Sequence, residues 1–230
     1  MTDTRYALYY VPPADTDWAR FATAWLGWDV CAGRAVAHPD VADLPLPIAE
    51  ISQTPRRYGL HATLKPPFRR ADGAMESDLA DACAVAFANQ RPVRLDTGLA
   101  LQRLGRFLAL RPPKDTPALT DLASHCVRAL DDFRAAPSAS ELARRRHRRL
   151  TPGQEANLTR WGYPYVMDAF RFHITLTGRL TEPDLRAVQG ALDRALTPLL
   201  PSELIIRDVA LVHESADGWF HLVQRCALSG

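Results

Sequence analysis

The sequence predicts an α+β fold of two pseudo-symmetric lobes, each an antiparallel sheet with helices on its outer face, around a central cleft. Three observations carry this. Short strand-like segments alternate with amphipathic helical ones rather than forming one long run of either. The order strand, helix, strand, hairpin strand occurs twice. Both copies open on one pattern, His61-Ala62-Thr63-Leu64 and His173-Ile174-Thr175-Leu176. The chain reads as a single bilobal domain over 1–230. Residues 1–50 pack on the lobes, a first motif lobe covers about 51–135, an insertion about 136–165, and a second motif lobe about 166–230.

The elements follow in order. Tyr6 to Val11 is aromatic and β-branched and closed by Pro12-Pro13, a strand. A helix capped by Asp15 or Asp17 runs to about Gly27, with Trp18, Phe21, Ala22 and Trp25 on one face. Val30 to Pro55 is rich in Pro, Ala and Asp and shows no regular period. Leu60 to Leu64 is a strand stopped by Pro66-Pro67. Ser77 to Asn89 is an amphipathic helix, and Val93 to Leu101 and Phe107 to Leu110 are strands joined at Gly105. Thr120 to Phe133 is helical, and so by propensity is Ser140 to Leu150. Phe170 to Thr177 is a strand, and Pro183 to Leu196 a helix with Thr181 as its cap. Leu204 to Val212 and Trp219 to Ala227 form a hairpin around Asp217-Gly218. The spacing from His61 to Val93 nearly matches that from His173 to Glu203, as a duplication requires.

Composition narrows the function classes. Hydrophobic residues at 47% and charged residues at 23% are ordinary for a globular protein. A net charge of +2 argues against a dedicated nucleic-acid coat. Cys31, Cys83, Cys126 and Cys226 are scattered, with no Cys-x-x-Cys pair, so neither a zinc site nor a disulfide framework is indicated. The N-terminus lacks the pattern of a signal peptide, and no stretch approaches the ~18 apolar residues of a membrane span. A reduced cytoplasmic location is the simplest expectation, with no membrane partner.

In a strand, alternate side chains share a face. Leu60, Ala62 and Leu64 therefore turn to the core while His61, Thr63 and Lys65 turn away. In the second motif Phe172, Ile174 and Leu176 turn inward, and Arg171, His173, Thr175 and Thr177 share the other face. Each strand thus presents an imidazole, a hydroxyl and a cation together. That set suits phosphoryl transfer, which needs a base for the attacking oxygen, an acid for the leaving oxygen and donors for the non-bridging oxygens. An imidazole near its reference pKa of ~6.5 supplies either proton role. The threonines can hold the phosphate oxygens, and Lys65 or Arg171 can add positive charge. No metal or cofactor is required.

The motifs sit in two longer strings, Tyr58-Gly59-Leu60-His61-Ala62-Thr63-Leu64-Lys65-Pro66-Pro67-Phe68 and the stretch from Pro164-Tyr165 through Phe170-Arg171-Phe172-His173-Ile174-Thr175-Leu176-Thr177-Gly178. With this spacing and element order the sequence resembles the 2H phosphoesterase superfamily, two-lobed cyclic phosphodiesterases and RNA ligase-type esterases. The strings resemble most the branch associated with bacterial phosphonate-utilisation operons, a domain of unknown function. The resemblance implies a small phosphorylated sugar or nucleotide substrate, with 5-phosphoribosyl 1,2-cyclic phosphate the best match. Catalytic roles would fall to His61, Thr63, His173 and Thr175. Two alternatives stand beside it: an RNA 2′,3′-cyclic phosphodiesterase or 2′–5′ RNA ligase-type enzyme, and a non-catalytic phosphate-ligand or RNA-binding module.

Tyr58 and Tyr165 lie just ahead of the motifs and can contact substrate, as can Tyr163. The run Arg144 to Arg149 reads first as a solvated helix face, so RNA is not favoured, and second as a cover over the cleft. Arg56 and Arg57 default to the surface, and His213 and His221 lack a third metal ligand nearby.

Overall fold

The computed structural model describes residues 4–114, 116–147 and 149–230, so Arg148 of the basic run lies outside the described residues. The chain starts with β1 (Arg5–Tyr10) and α1 (Asp17–Leu26), then a small hairpin of β2 (Trp28–Asp29) and β3 (Arg34–Ala35), and the short helices α2 (Ile48–Ile51) and α3 (Gln53–Arg56). The first repeat holds β4 (Ala62–Arg69), α4 (Glu76–Phe87), β5 (Val93–Leu95), β6 (Ala100–Leu104) and β7 (Phe107–Arg111), with α5 (Pro117–Ala129) after it. The inserted stretch supplies α6 (Ala139–Arg146) and α7 (Pro152–Trp161). The second repeat holds β8 (Ile174–Thr175), α8 (Glu182–Ala195), β9 (Leu204–Ile206), β10 (Asp208–Glu214) and β11 (Phe220–Ala227).

The fold is mixed α+β. Seven strands form one sheet in the order β11-β10-β1-β4-β8-β7-β6, and β5 pairs with β9 in a separate two-stranded ladder. Every pairing between these strands is antiparallel. The repeats are interleaved. The β6–β7 hairpin of the first bonds to β8 of the second, while β10 and β11 of the second lie on the β1–β4 side. The histidine strands β4 and β8 are neighbours at the centre, joined at the pair Ala62↔Ile174.

Three predicted strands change shape for identifiable reasons. The strand expected over Val93 to Leu101 is divided at Gly98, whose φ of 56° turns the chain. The strand expected to stop before Pro66-Pro67 instead runs through them to Arg69. Proline lacks the amide a ladder needs, and the pairing that holds β4 along this stretch is with β1. The strand expected from Phe170 to Thr177 pairs as a strand only at Ile174–Thr175, because a 3-10 turn over Met167–Ala169 leads into it.

The core lies on one face of the sheet, under α1, α4, α5 and α8. Leu8, Ala62, Leu64, Leu110, Ile174 and Leu176 meet Trp25, Leu79, Leu122 and Leu192 there. Trp25 Nε1 donates to the Leu176 carbonyl at 2.9 Å, fixing α1 against the second histidine strand. Cys83 of α4 and Cys226 of β11 bring their thiol sulfurs to 3.1 Å within this core. The opposite face carries a smaller cluster, with Ala7, Tyr9, Val11, Ala210, Val212 and Phe220 against Trp28, Val30 and Tyr58. No helix among the described residues is long and apolar enough to cross a membrane.

Candidate active site

The two histidines are placed by the same local device. His61 Nδ1 lies 3.0 Å from the Gly59 carbonyl, and His173 Nδ1 lies 2.8 Å from the Arg171 carbonyl, each two residues back along the chain. A carbonyl only accepts, so each Nδ1 carries its hydrogen and each neutral ring has a bare Nε2. Gly59 makes its turn with φ of 69°, and a β-carbon there would come within 2.9 Å of the Val30 side chain. Glycine is therefore what lets this carbonyl meet the ring.

Register puts both imidazoles on the face away from the helices. Ala62 and Ile174 are partners and fully buried in the core. One residue to either side, His61 and Thr63 on β4 and His173 and Thr175 at β8 share the other face. In an antiparallel pair this sets the histidines as diagonal neighbours, about 7–8 Å apart between backbones. The histidine strands pair only at this one position. His61 Nε2 reaches Thr63 Oγ1 at 3.2 Å.

Electrostatics keep both rings neutral at pH 7. Burial lowers His61 to about 4; the Gly59 carbonyl opposes that, and the charge on His173 adds to it. Burial also lowers His173, against the favourable Arg171 carbonyl and with a further push from Arg111. Each ring is thus ready to accept a proton.

The other expected residues separate. Tyr58 joins the site, half-buried, its ring 5.7 Å from His61 and 4.9 Å from Phe220. Lys65 is a correction. A register shift between β1 and β4 pairs Lys65 with the core residue Leu8 while Thr63 pairs with Tyr9, so Lys65 leaves the histidine face. It is 2% exposed, its Nζ donates to the Val127 carbonyl at 2.8 Å, and burial lowers it to about 8 against the pull of Asp131. Arg171 is exposed and turns back to the carbonyls of Asp168 and Phe170. Tyr165 is 39% exposed and meets Tyr163 edge-on, away from the ring contacts of either histidine among the described residues. Thr177 is buried, accepting from the Leu108 amide and donating to the Gly178 carbonyl.

Two neighbours escaped the sequence reading. Tyr9 stacks on His61 at 4.0 Å between ring centroids, and its buried hydroxyl has no hydrogen-bond partner. Burial pushes that hydroxyl's pKa well up. Arg111, at the end of β7, faces His173 across the register set by Leu110↔Ile174. Alternation in β1 separates Tyr9 from Leu8 and Tyr10, and that was the available signal; the position of Arg111 depends on a long-range pairing that no local pattern encodes.

Residues 63–221 match the model of a family described as a protein of unknown function, DUF1045. The chain belongs to the DUF1045 family. Among curated proteins this DUF1045 chain is 38% identical over 182 residues to a ribose 1,5-bisphosphate phosphokinase PhnN of Janthinobacterium sp. (strain Marseille), covering 79% of the chain and 40% of that protein. It is 37% identical over 186 residues to the protein of the same name from Laribacter hongkongensis (strain HLHK9), covering 79% and 42%. The chain spans about two fifths of the length of these relatives. Solved structures similar to the DUF1045 chain include TT0787 of Thermus thermophilus, at 17% identity, TM-score 0.49 and 98% of each chain. E. coli LigT complexed with NADP+ has 15% identity and TM-score 0.47, over 99% of this chain and 98% of that one. The family and the relatives' names accord with the resemblance read from the two motif strings.

Proposed function

We propose that this protein is a 2H-type phosphodiesterase that opens a cyclic phosphate on a phosphorylated ribose. The observation that carries the reading is the matched pair of imidazoles on one sheet face, each with Nδ1 tied to a carbonyl two residues back. The name of the PhnN relatives supports phosphorylated ribose as the substrate class.

In this mechanism the active state is the one in which His173 has taken up a second proton, on Nε2, while His61 stays neutral. Water attacks phosphorus as His61 Nε2 takes its proton, and the ester P–O bond breaks as the His173 imidazolium protonates the leaving oxygen. The product is a phosphate monoester and a free hydroxyl. His61 ends protonated and His173 neutral, and solvent exchange restores both. Thr63 and Thr175 donate to the non-bridging oxygens, and Arg111 adds positive charge on the His173 side. The step needs no metal, so turnover persists in chelator.

Phosphorus NMR of the protein with 5-phosphoribosyl 1,2-cyclic phosphate and with a 2′,3′-cyclic nucleotide tests the reading. Conversion of the ribosyl ester to a monoester is the expected result, and conversion of neither rejects it. A substrate with a good leaving group separates the proton roles, because it rescues His173→Ala and not His61→Ala if His173 is the acid.

A further inference from the structure

The inserted helices α6 and α7 cover the proline-bearing edge of β4 and close a pocket there. Its lining includes Arg5, Arg69, Arg134, Arg145, Trp161 and Tyr163. Three of these cations have carboxylate partners. Arg5 makes a two-pronged pair with Glu214 at 2.6 and 2.7 Å, Arg69 meets Glu141 at 2.6 Å, and Arg134 meets Asp131 at 2.8 Å.

Arg145 differs. Its guanidinium lies over the Tyr163 ring at 4.6 Å, its Nε is buried without a hydrogen-bond partner, and no carboxylate pairs with it among the described residues. The nearby Glu141 is already engaged by Arg69 and by the Ser138 amide. Burial makes the cation harder to hold there; Tyr163 and Glu141 oppose that, and the positive charges of Arg144 and Arg5 add to it. A half-buried guanidinium beside other cations is costly unless an anion completes it.

The pocket is linked to the histidine site along β1. Arg5 and Tyr9 lie on one face of β1, and Tyr9 stacks on His61. Four strand residues span about 13 Å, and arginine side chains shorten that reach. Arg5 and Arg69 are cross-strand partners on this face.

We infer that this pocket binds a second anionic group, a phosphate monoester, on the substrate whose cyclic phosphate lies between His61 and His173. The inference rests on the two-histidine reading for that cyclic end. Arg145 is the specificity-determining residue: it selects a ribosyl cyclic phosphate carrying a further phosphate over one without it.

The test compares a ribose 1,2-cyclic phosphate with its 5-phosphorylated form. Arg145→Ala raises KM for the phosphorylated ester about tenfold or more with kcat unchanged, the scale of one charge-assisted hydrogen bond. It leaves the unphosphorylated ester unaffected, Arg145→Lys lies between, and Arg144→Ala behaves as the parent. Equal losses on both esters overturn the inference. The variants fold, because α6 buries none of its residues. Calorimetric titration of inorganic phosphate into protein carrying both His61→Ala and His173→Ala gives the second readout. Loss of phosphate binding on adding Arg145→Ala supports the pocket, and unchanged binding overturns it. Absence of all turnover in the parent, together with Arg145-dependent phosphate binding, overturns the two-histidine reading and leaves the anion pocket standing.

Discussion

His61 and His173 owe their shared protonation state to burial, and the pH dependence of activity follows from it. The base must be neutral and the acid protonated. Activity as kcat/KM therefore rises through about pH 4 with His61 and falls as pH climbs past the depressed value of His173, placing the optimum on the acid side of neutrality. A level plateau reaching well above neutral pH contradicts this. His61→Ala and His173→Ala each lower kcat by about 10²–10⁴ with the fold intact by circular dichroism, and near-parental turnover in either rejects its role. The same burial acts on stability. Between the unfolded value of 6.5 and the folded value of about 4, the unfolded ring binds a proton that the folded ring refuses. Stability present above the upper value is therefore lost as pH falls through that window, by up to about 3 kcal/mol. Urea titrations of His61→Gln show a shallower decline toward acid, and an unchanged slope contradicts the assignment. The shared face of His61, Thr63, His173 and Thr175 was legible because each motif alternates cleanly. Lys65 was misread because a register shift is invisible in a sequence, and Arg111 was missed because only the β7–β8 register brings it near.

Element by element, α1, α4, α5, α6 and α8 were legible to within about four residues, α2 and α3 fell in a stretch read as having no regular period, and the strands were less legible. Thr181 caps α8 as its sequence indicates, its hydroxyl accepting from the Asp184 amide at 3.4 Å. Gly98 shows what strand patterning could not display. Its φ is positive, and a β-carbon there would sit 1.8 Å from the Pro201 carbonyl oxygen, ahead of β9. Backbone oxygen cannot yield as a flexible side chain does, so Gly98→Ala costs about 3 kcal/mol or more, the conformational penalty adding to the clash. Thermal denaturation checks this, and a midpoint within a degree or two of the parent counts against it. Gly59→Ala acts at a distance, because moving that carbonyl releases His61 Nδ1. It lowers kcat more than it raises KM.

For the whole molecule, interleaving decides how the parts depend on one another. Matched spacing pointed to a repeated order of elements, but which hairpin lies beside which histidine strand was not legible, since pairing partners far apart in sequence leave no periodic trace. Each repeat's histidine strand has its sheet neighbours outside its own repeat, and β5 pairs with β9 across the same divide. Unfolding is accordingly one calorimetric transition, and two separated transitions contradict that dependence. The two prolines of β4 bear on how this molecule meets its neighbours in a crowded solution. A bare strand edge invites another polypeptide to extend the ladder, and imino nitrogens at Pro66 and Pro67 have no hydrogen to offer such a guest. Should α6 and α7 swing off this margin, the prolines would still deny such a guest its bonds.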